Sequence, residues 1–189
     1  MSKAVLISIR PQWCDMIAIG KKIVEVRKTR PKLETPFKCY IYCTKDSTDL
    51  VPSRIWWKAD KTDFQHIMNG KVIGEFVCDH IEEYQQSMLA AASGLDKGKL
   101  KMLLTSSCLP YNDLAIYIKS KESRKPFYGW HISDLEIYDK PIELGEFLRL
   151  SGCAYPWGCG MCDYWDNIYS VCEKPVKPPQ SWCYLENEI

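Results

Sequence analysis

The stretch Gly20-Lys21-Lys22-Ile23-Val24-Glu25-Val26-Arg27 sets a carboxylate between two cations at short, regular spacing. Such a trio can recognise a polar ligand, because the cations donate to phosphate or carbonyl oxygens while the carboxylate accepts from an amino group. It can also catalyse hydrolysis, with Glu25 activating water and Lys22 stabilising an oxyanion. A third reading is an ion-pair network bracing a corner of the fold, since charges withdrawn from water are costly unless paired. Trp13 and Trp130 are candidate faces for a base to stack on, or members of a core. No acidic partner for His131 is evident from spacing, and it is read as structural rather than catalytic.

The elements around the trio must place it at a cavity or its mouth. Ala4 to Ile9 has the β-branched composition of a buried strand. Pro11 suits a first helical turn, Trp13, Met16 and Ile17 give that helix an apolar face, and Gly20 ends it by taking a left-handed conformation. Ile23 to Lys28 is a second strand in which Glu25 and Arg27 oppose Val24 and Val26. Phe37 to Cys43 is a third strand and Lys71 to Ile81 a fourth, with Gly74 permitting a bulge or a close backbone approach. Helices are expected within Ser93–Ser107, over Tyr111–Lys119 and over Pro141–Leu150, with one long strand from Tyr128 to Tyr138. Residues 46–69, with Trp56 and Trp57, read as an excursion holding one short helix. Strands without regular βα alternation point to an α+β protein, a small mixed β-barrel with flanking helices.

In its strand–helix–strand setting, Gly20-x-Lys22-x-x-Glu25-x-Arg27 is similar to the signature of ASCH domains in the PUA-like superfamily. The likeness extends to Ser8-Ile9-Arg10-Pro11-x-Trp13 and to Tyr128-Gly129-Trp130-His131-Ile132, and covers most of residues 1–150. The resemblance implies a module binding RNA or a (modified) nucleotide. Its ligand-binding residues would be Ser8, Arg10, Trp13, Gly20, Lys22, Glu25, Arg27 and Trp130. Some relatives resemble acetylcytidine amidohydrolases, which use a Thr, a Lys and a Glu, and others resemble ribonucleases. Lys22 matches that catalytic Lys, but Glu25 stands where the nucleophilic Thr would be, and a carboxylate cannot replace a hydroxyl nucleophile in that chemistry. Glu75 is the loose counterpart of the third residue. An enzyme of this type would rely on Lys22 and Glu25.

Composition narrows the partner. The 189 residues are 46% hydrophobic and 26% charged with a net charge of +1, so no global field draws the protein onto long duplex or an anionic membrane. The expected partner is a short single-stranded RNA or a nucleotide, met by the local run Lys21, Lys22, Arg27, Lys28, Arg30 and Lys32. No signal peptide or membrane span is apparent, which suggests a cytoplasmic protein.

Residues 151–189 form a Cys-rich extension that packs on the first domain. Cys159 and Cys162 have zinc-knuckle spacing, and Cys172 and Cys183 would complete a closed structural site, with Cys153 a competing ligand. Free thiols are the alternative. The Pro178-Pro179-Gln180-Ser181-Trp182-Cys183-Tyr184 ending resembles that of small phage and mobile-element proteins, which implies a protein-interaction or counter-defence role. If the zinc clasp exists, metal analysis of purified protein finds close to one equivalent, whereas fewer than about 0.2 removes it, given how tightly such sites bind.

Overall fold

The computed structural model describes residues 4–45, 69–90, 95–119, 125–150 and 177–185. The excursion carrying Trp56 and Trp57, and Cys153, Cys159, Cys162 and Cys172, lie outside them. The described chain runs β1 (Ala4–Ile9), α1 (Pro11–Ala18), β2 (Val24–Arg27), β3 (Phe37–Cys43), β4 (Lys71–Cys78), β5 (Ile81–Tyr84), a 3-10 turn (Gln86–Ala90), α2 (Leu95–Ser107), α3 (Tyr111–Ile118), β6 (Phe127–His131), β7 (Ser133–Glu143), α4 (Leu144–Leu150) and β8 (Trp182–Leu185).

The α+β class holds, but the strands divide into two sheets and no barrel closes among the described residues. One sheet has the order β7-β4-β3-β1-β8, the other β2-β6-β5. The cause is a long antiparallel ribbon that bends. Val77 pairs with Ser133 on one side of the bend and Ile81 with Trp130 on the other, so β4–β5 and β6–β7 each pass from sheet to sheet. The corner falls at Asp79-His80 and Ile132, where the His131 amide donates to the His80 carbonyl at 2.9 Å and Ile132 to Ile23 at 2.9 Å. Register shifts in β4–β7 help the ribbon turn, as bulges increase local bend and twist. Each strand expected as one long element from this region is therefore two. Helix α4 also starts later than expected, at Leu144, because β7 continues through Pro141.

β1 and β3 pair in parallel, so a crossover must join them, and α1 with β2 supplies it. Both strands are almost wholly buried on two faces, which explains why their sequences are apolar except at Ser8 and Lys38. Val5, Ile7 and Ile9 join Cys39 and Ile41 in the largest core with α1, while Leu6 joins Tyr40 and Tyr42 in a second core under α4. The third core lies between the smaller sheet and α2–α3, built from Val26, Phe127, Leu103 and Leu114. β8, not foreseen as a strand, pairs antiparallel with β1 and ties the chain's end into the main sheet.

Gly74 faces the ribbon so closely that a Cβ there would press on the Glu136 carbonyl oxygen and the Ile137 Cα. Backbone cannot yield as a flexible side chain does. Gly74→Val should therefore destabilise the fold by about 2 kcal/mol, seen as a lower urea midpoint, because overpacking of this kind forces main-chain shifts.

Candidate functional site

Two local features deliver the charged trio. Ile19 caps α1, and Gly20 follows at φ +70°, the left-handed conformation that lets the Gly20, Lys21 and Lys22 amides fold back onto the Ile17 and Met16 carbonyls. β2 then alternates, sending Val24 and Val26 to the third core and Glu25 and Arg27 to the opposite face. The two sides of one short strand thus divide between hydrophobic packing and charge.

Lys22, Glu25 and Arg27 are brought together and withdrawn from solvent, with exposures of 2%, 7% and 6%. The Lys22 Nζ donates to the carbonyls of Ser107 at 2.8 Å and Val24 at 3.0 Å, and lies 3.1 Å from Glu25 Oε2. It also stands 5.5 Å from the centre of the Trp13 ring, a cation–π arrangement. Three oxygens therefore surround the ammonium, which an oxyanion could reach only by displacing one of them. On the other side of the carboxylate, Arg27 Nη2 sits 3.0 Å from Glu25 Oε1 and donates to the Ser8 carbonyl at 2.6 Å. One carboxylate thus bridges two cations whose remaining donors reach β1 and the end of α2.

Not every polar atom is matched. Among the described residues Glu25 Oε2 has its ionic neighbour but no aligned hydrogen bond, and Arg27 Nε and Trp130 Nε1 have no hydrogen-bond partner. Glu25 and Trp130 are cross-strand neighbours, so these atoms belong to adjoining side chains.

The remaining expected residues separate. Ser8 is beside Arg27, but its hydroxyl donates to the Pro179 carbonyl at 2.6 Å. Arg10 is exposed and contributes its carbonyl to the first turn of α1. Trp13 is half-buried against the main core, and Trp130, fully buried, packs edge-on to Phe37 with centroids 6.0 Å apart. Trp130 is thus a core member rather than an open platform. Glu75 points to the other face of the sheet, accepting from Lys38 at 2.8 Å and Tyr138 at 2.6 Å, so it does not join Lys22. Cys183 packs beside the second core, where burial pushes its thiol up to about 11. Among the described residues no three of His, Cys, Asp and Glu gather as metal ligands would.

Three partners escaped the sequence reading. The Ser107 carbonyl holds Lys22 from α2, and Ser181 approaches Arg27 Nη1 with its hydroxyl at 3.4 Å and its carbonyl at 3.5 Å. His131 does have an acidic partner: its Nδ1 lies 2.7 Å from Asp79 Oδ1, and that hydrogen bond holds the Asp79 carboxyl below the ordinary range. Only the Ser181 contact had a signal, in the Pro-Pro-Gln-Ser-Trp ending.

Just past Arg27, where β2 ends, a shallow, wide-mouthed depression of about 300 Å³ is lined by Lys28, Thr29, Arg30, Lys125, Pro126 and Tyr128. Tyr128 is the cross-strand neighbour of Arg27, so groove and cluster share a wall.

No family model and no curated protein matches the chain by sequence. Solved structures do match by shape. The ASCH protein from Zymomonas mobilis superimposes with a TM-score of 0.58 at 16% identity, over 96% of this chain and 87% of that one. A single-substitution variant of the same protein gives 0.57 at 16% identity, over 96% and 89%. At this identity the likeness is one of fold.

The cluster carries two buried cations and one buried anion, so its variants should differ in severity. Glu25→Ala leaves both cations unpaired and is expected to cost about 3–5 kcal/mol in urea unfolding. Lys22→Met keeps the Glu25–Arg27 pair and should cost clearly less.

Proposed function

We propose, on the premise that this chain has the ASCH-type fold, that it binds short single-stranded RNA or a (modified) nucleotide. In this reading the Lys22–Glu25–Arg27 cluster receives a base, and the adjoining basic groove holds the phosphodiester backbone. The observation that carries the proposal is the set of unmatched atoms. Arg27 Nε and Trp130 Nε1 are donors without a partner among the described residues, and beside them Glu25 Oε2, whose neighbour is the Lys22 ammonium at 3.1 Å, keeps capacity to accept a further hydrogen bond. Burying such a group unsatisfied costs about 1–3 kcal/mol, which is why native proteins rarely tolerate several together. A nucleobase offers the complementary pattern, an exocyclic amine beside ring nitrogen or carbonyl acceptors. Lys22, enclosed by three oxygens, serves by fixing the carboxylate that the amine would meet.

The groove supplies what the cluster lacks. Lys28, Arg30 and Lys125 give positive charge along a backbone path, while Tyr128 gives an aromatic wall, the combination found in single-strand binders. With a net charge of +1, attraction is confined to this patch, which favours a short strand. Among the described residues no helix is long and apolar enough to cross a membrane.

Fluorescence anisotropy with a single-stranded RNA of about ten nucleotides tests the reading, since one small binding fold covers a site of that order. The Lys28→Ala/Arg30→Ala double variant should bind about tenfold more weakly. Its log–log salt slope should flatten by about 1.4, or roughly 0.7 for each phosphate no longer neutralised. Equal affinity in wild type and double variant would remove the groove from the account.

A further inference from the structure

The groove and the buried cluster are neighbours, yet a piece of the same chain stands between them. Trp182 touches both. Its indole Nε1 donates to Thr29 Oγ1, a groove residue, at 3.1 Å, and its ring lies 5.9 Å from that of Trp130. Immediately before it, Ser181 holds its carbonyl and hydroxyl towards Arg27 Nη1. We propose that Pro179–Trp182 is a built-in competitor for the site, an autoinhibitory strap that must lift before a base passes from the groove to Glu25, Arg27 and Trp130. This rests on the nucleotide-binding reading above.

The mimicry is chemical. Ser181 offers two oxygens to the guanidinium, as a phosphate or a base carbonyl would, and Trp182 offers a ring to Trp130, as a base would. The oxygens are held at 3.4–3.5 Å, longer than a good charge-assisted hydrogen bond and cheap to exchange. The guanidinium itself is fixed independently, by the Ser8 carbonyl at 2.6 Å and by Glu25, so it would keep its position when the strap leaves.

The attachment of the strap is uneven, which is what a hinged element requires. On its C-terminal side β8 is anchored in the sheet. Trp182 opens the ladder opposite Ile7, Cys183, Tyr184 and Leu185 continue it opposite Leu6, Val5 and Ala4, Leu185 is fully buried, and the Tyr184 hydroxyl accepts from the Lys32 amide at 2.7 Å. On its N-terminal side Pro178 and Pro179 have no N–H to give a ladder. There the strap is held through acceptors, Pro179 to the Ser8 hydroxyl and Ser181 to the Ser8 amide at 2.9 Å. Opening Pro179–Trp182 thus breaks these bonds, the Trp182–Thr29 hydrogen bond and the terminal Ile7–Trp182 pair, and leaves the other three β8–β1 pairs in place, the kind of local opening that ligand sites draw on. Apparent affinity is then the intrinsic affinity scaled by the open fraction.

The test compares the full chain with Trp182→Ala and Ser181→Gly, using the same short RNA in anisotropy and following amide hydrogen exchange. Trp182→Ala should bind about tenfold tighter and Ser181→Gly a few-fold tighter, each by raising the open fraction. Saturating RNA should strip exchange protection from the Ser8 amide of wild type while the amides of β3 keep theirs. If wild type binds RNA, neither folded variant binds more tightly, and Ser8 stays protected, the strap is structural and only this proposal fails. If neither wild type nor any variant binds, the nucleotide reading fails and the strap proposal with it. Should circular dichroism show Trp182→Ala unfolded, Ser181→Gly and the exchange data decide.

Discussion

The Glu25 carboxylate, held between Lys22 and Arg27 away from water, is the interaction on which the rest of the architecture converges. Its two cations do not stop at the carboxylate. Lys22 reaches the last residue of α2 through the Ser107 carbonyl, and Arg27 reaches the end of β1 through Ser8 and the C-terminal segment through Ser181. One buried charge thus ties together four parts of the chain far apart in sequence. Such an arrangement is weak evidence for stability, because desolvation offsets much of the Coulombic gain. What it secures is geometry: with its carboxylate removed, two cations would remain buried without a counter-charge.

That geometry explains why a single strand of four residues can serve two cores. β2 turns Val24 and Val26 towards α2 and α3 and places Glu25 and Arg27 where the two sheets meet. The bent ribbon of β4–β5 and β6–β7 completes the junction, carrying Trp130 beside Glu25 on one side of the corner and leaving Lys38, Glu75 and Tyr138 as a separate polar network on the far face. The division is chemically informative. It sets Glu75, the loose counterpart of the third hydrolase residue, apart from Lys22 and Glu25, and it encloses the Lys22 ammonium among three oxygens.

In the proposed reading, recognition and access are handled by different parts of the molecule. The cluster is buried with hydrogen-bonding demand, and the groove past Arg27 has charge, an aromatic wall and an open mouth. The C-terminal strap spans the boundary. In this arrangement the tail is part of the site's chemistry as well as an added strand of its sheet.

The sequence by itself determined the local features. Gly20 was legible as the stop of α1 because only a left-handed residue lets the chain fold back there, and β2 because the period of two separates charge from valine. β1 and β3 were legible from their largely apolar, β-branched and aromatic runs, and the ASCH-type fold followed from the motif in that setting. Tertiary structure alone decided the rest, because each remaining feature is a meeting of distant residues. Nothing near Lys22 in sequence points to the Ser107 carbonyl, and nothing near His131 points to Asp79. The bend at His80 and Ile132, which divides two long strands into four, depends on main-chain bonds across the corner rather than on a turn-forming residue. Side-chain types told which groups want partners, and only the packed fold decided which partners they found and which buried atoms were left without one.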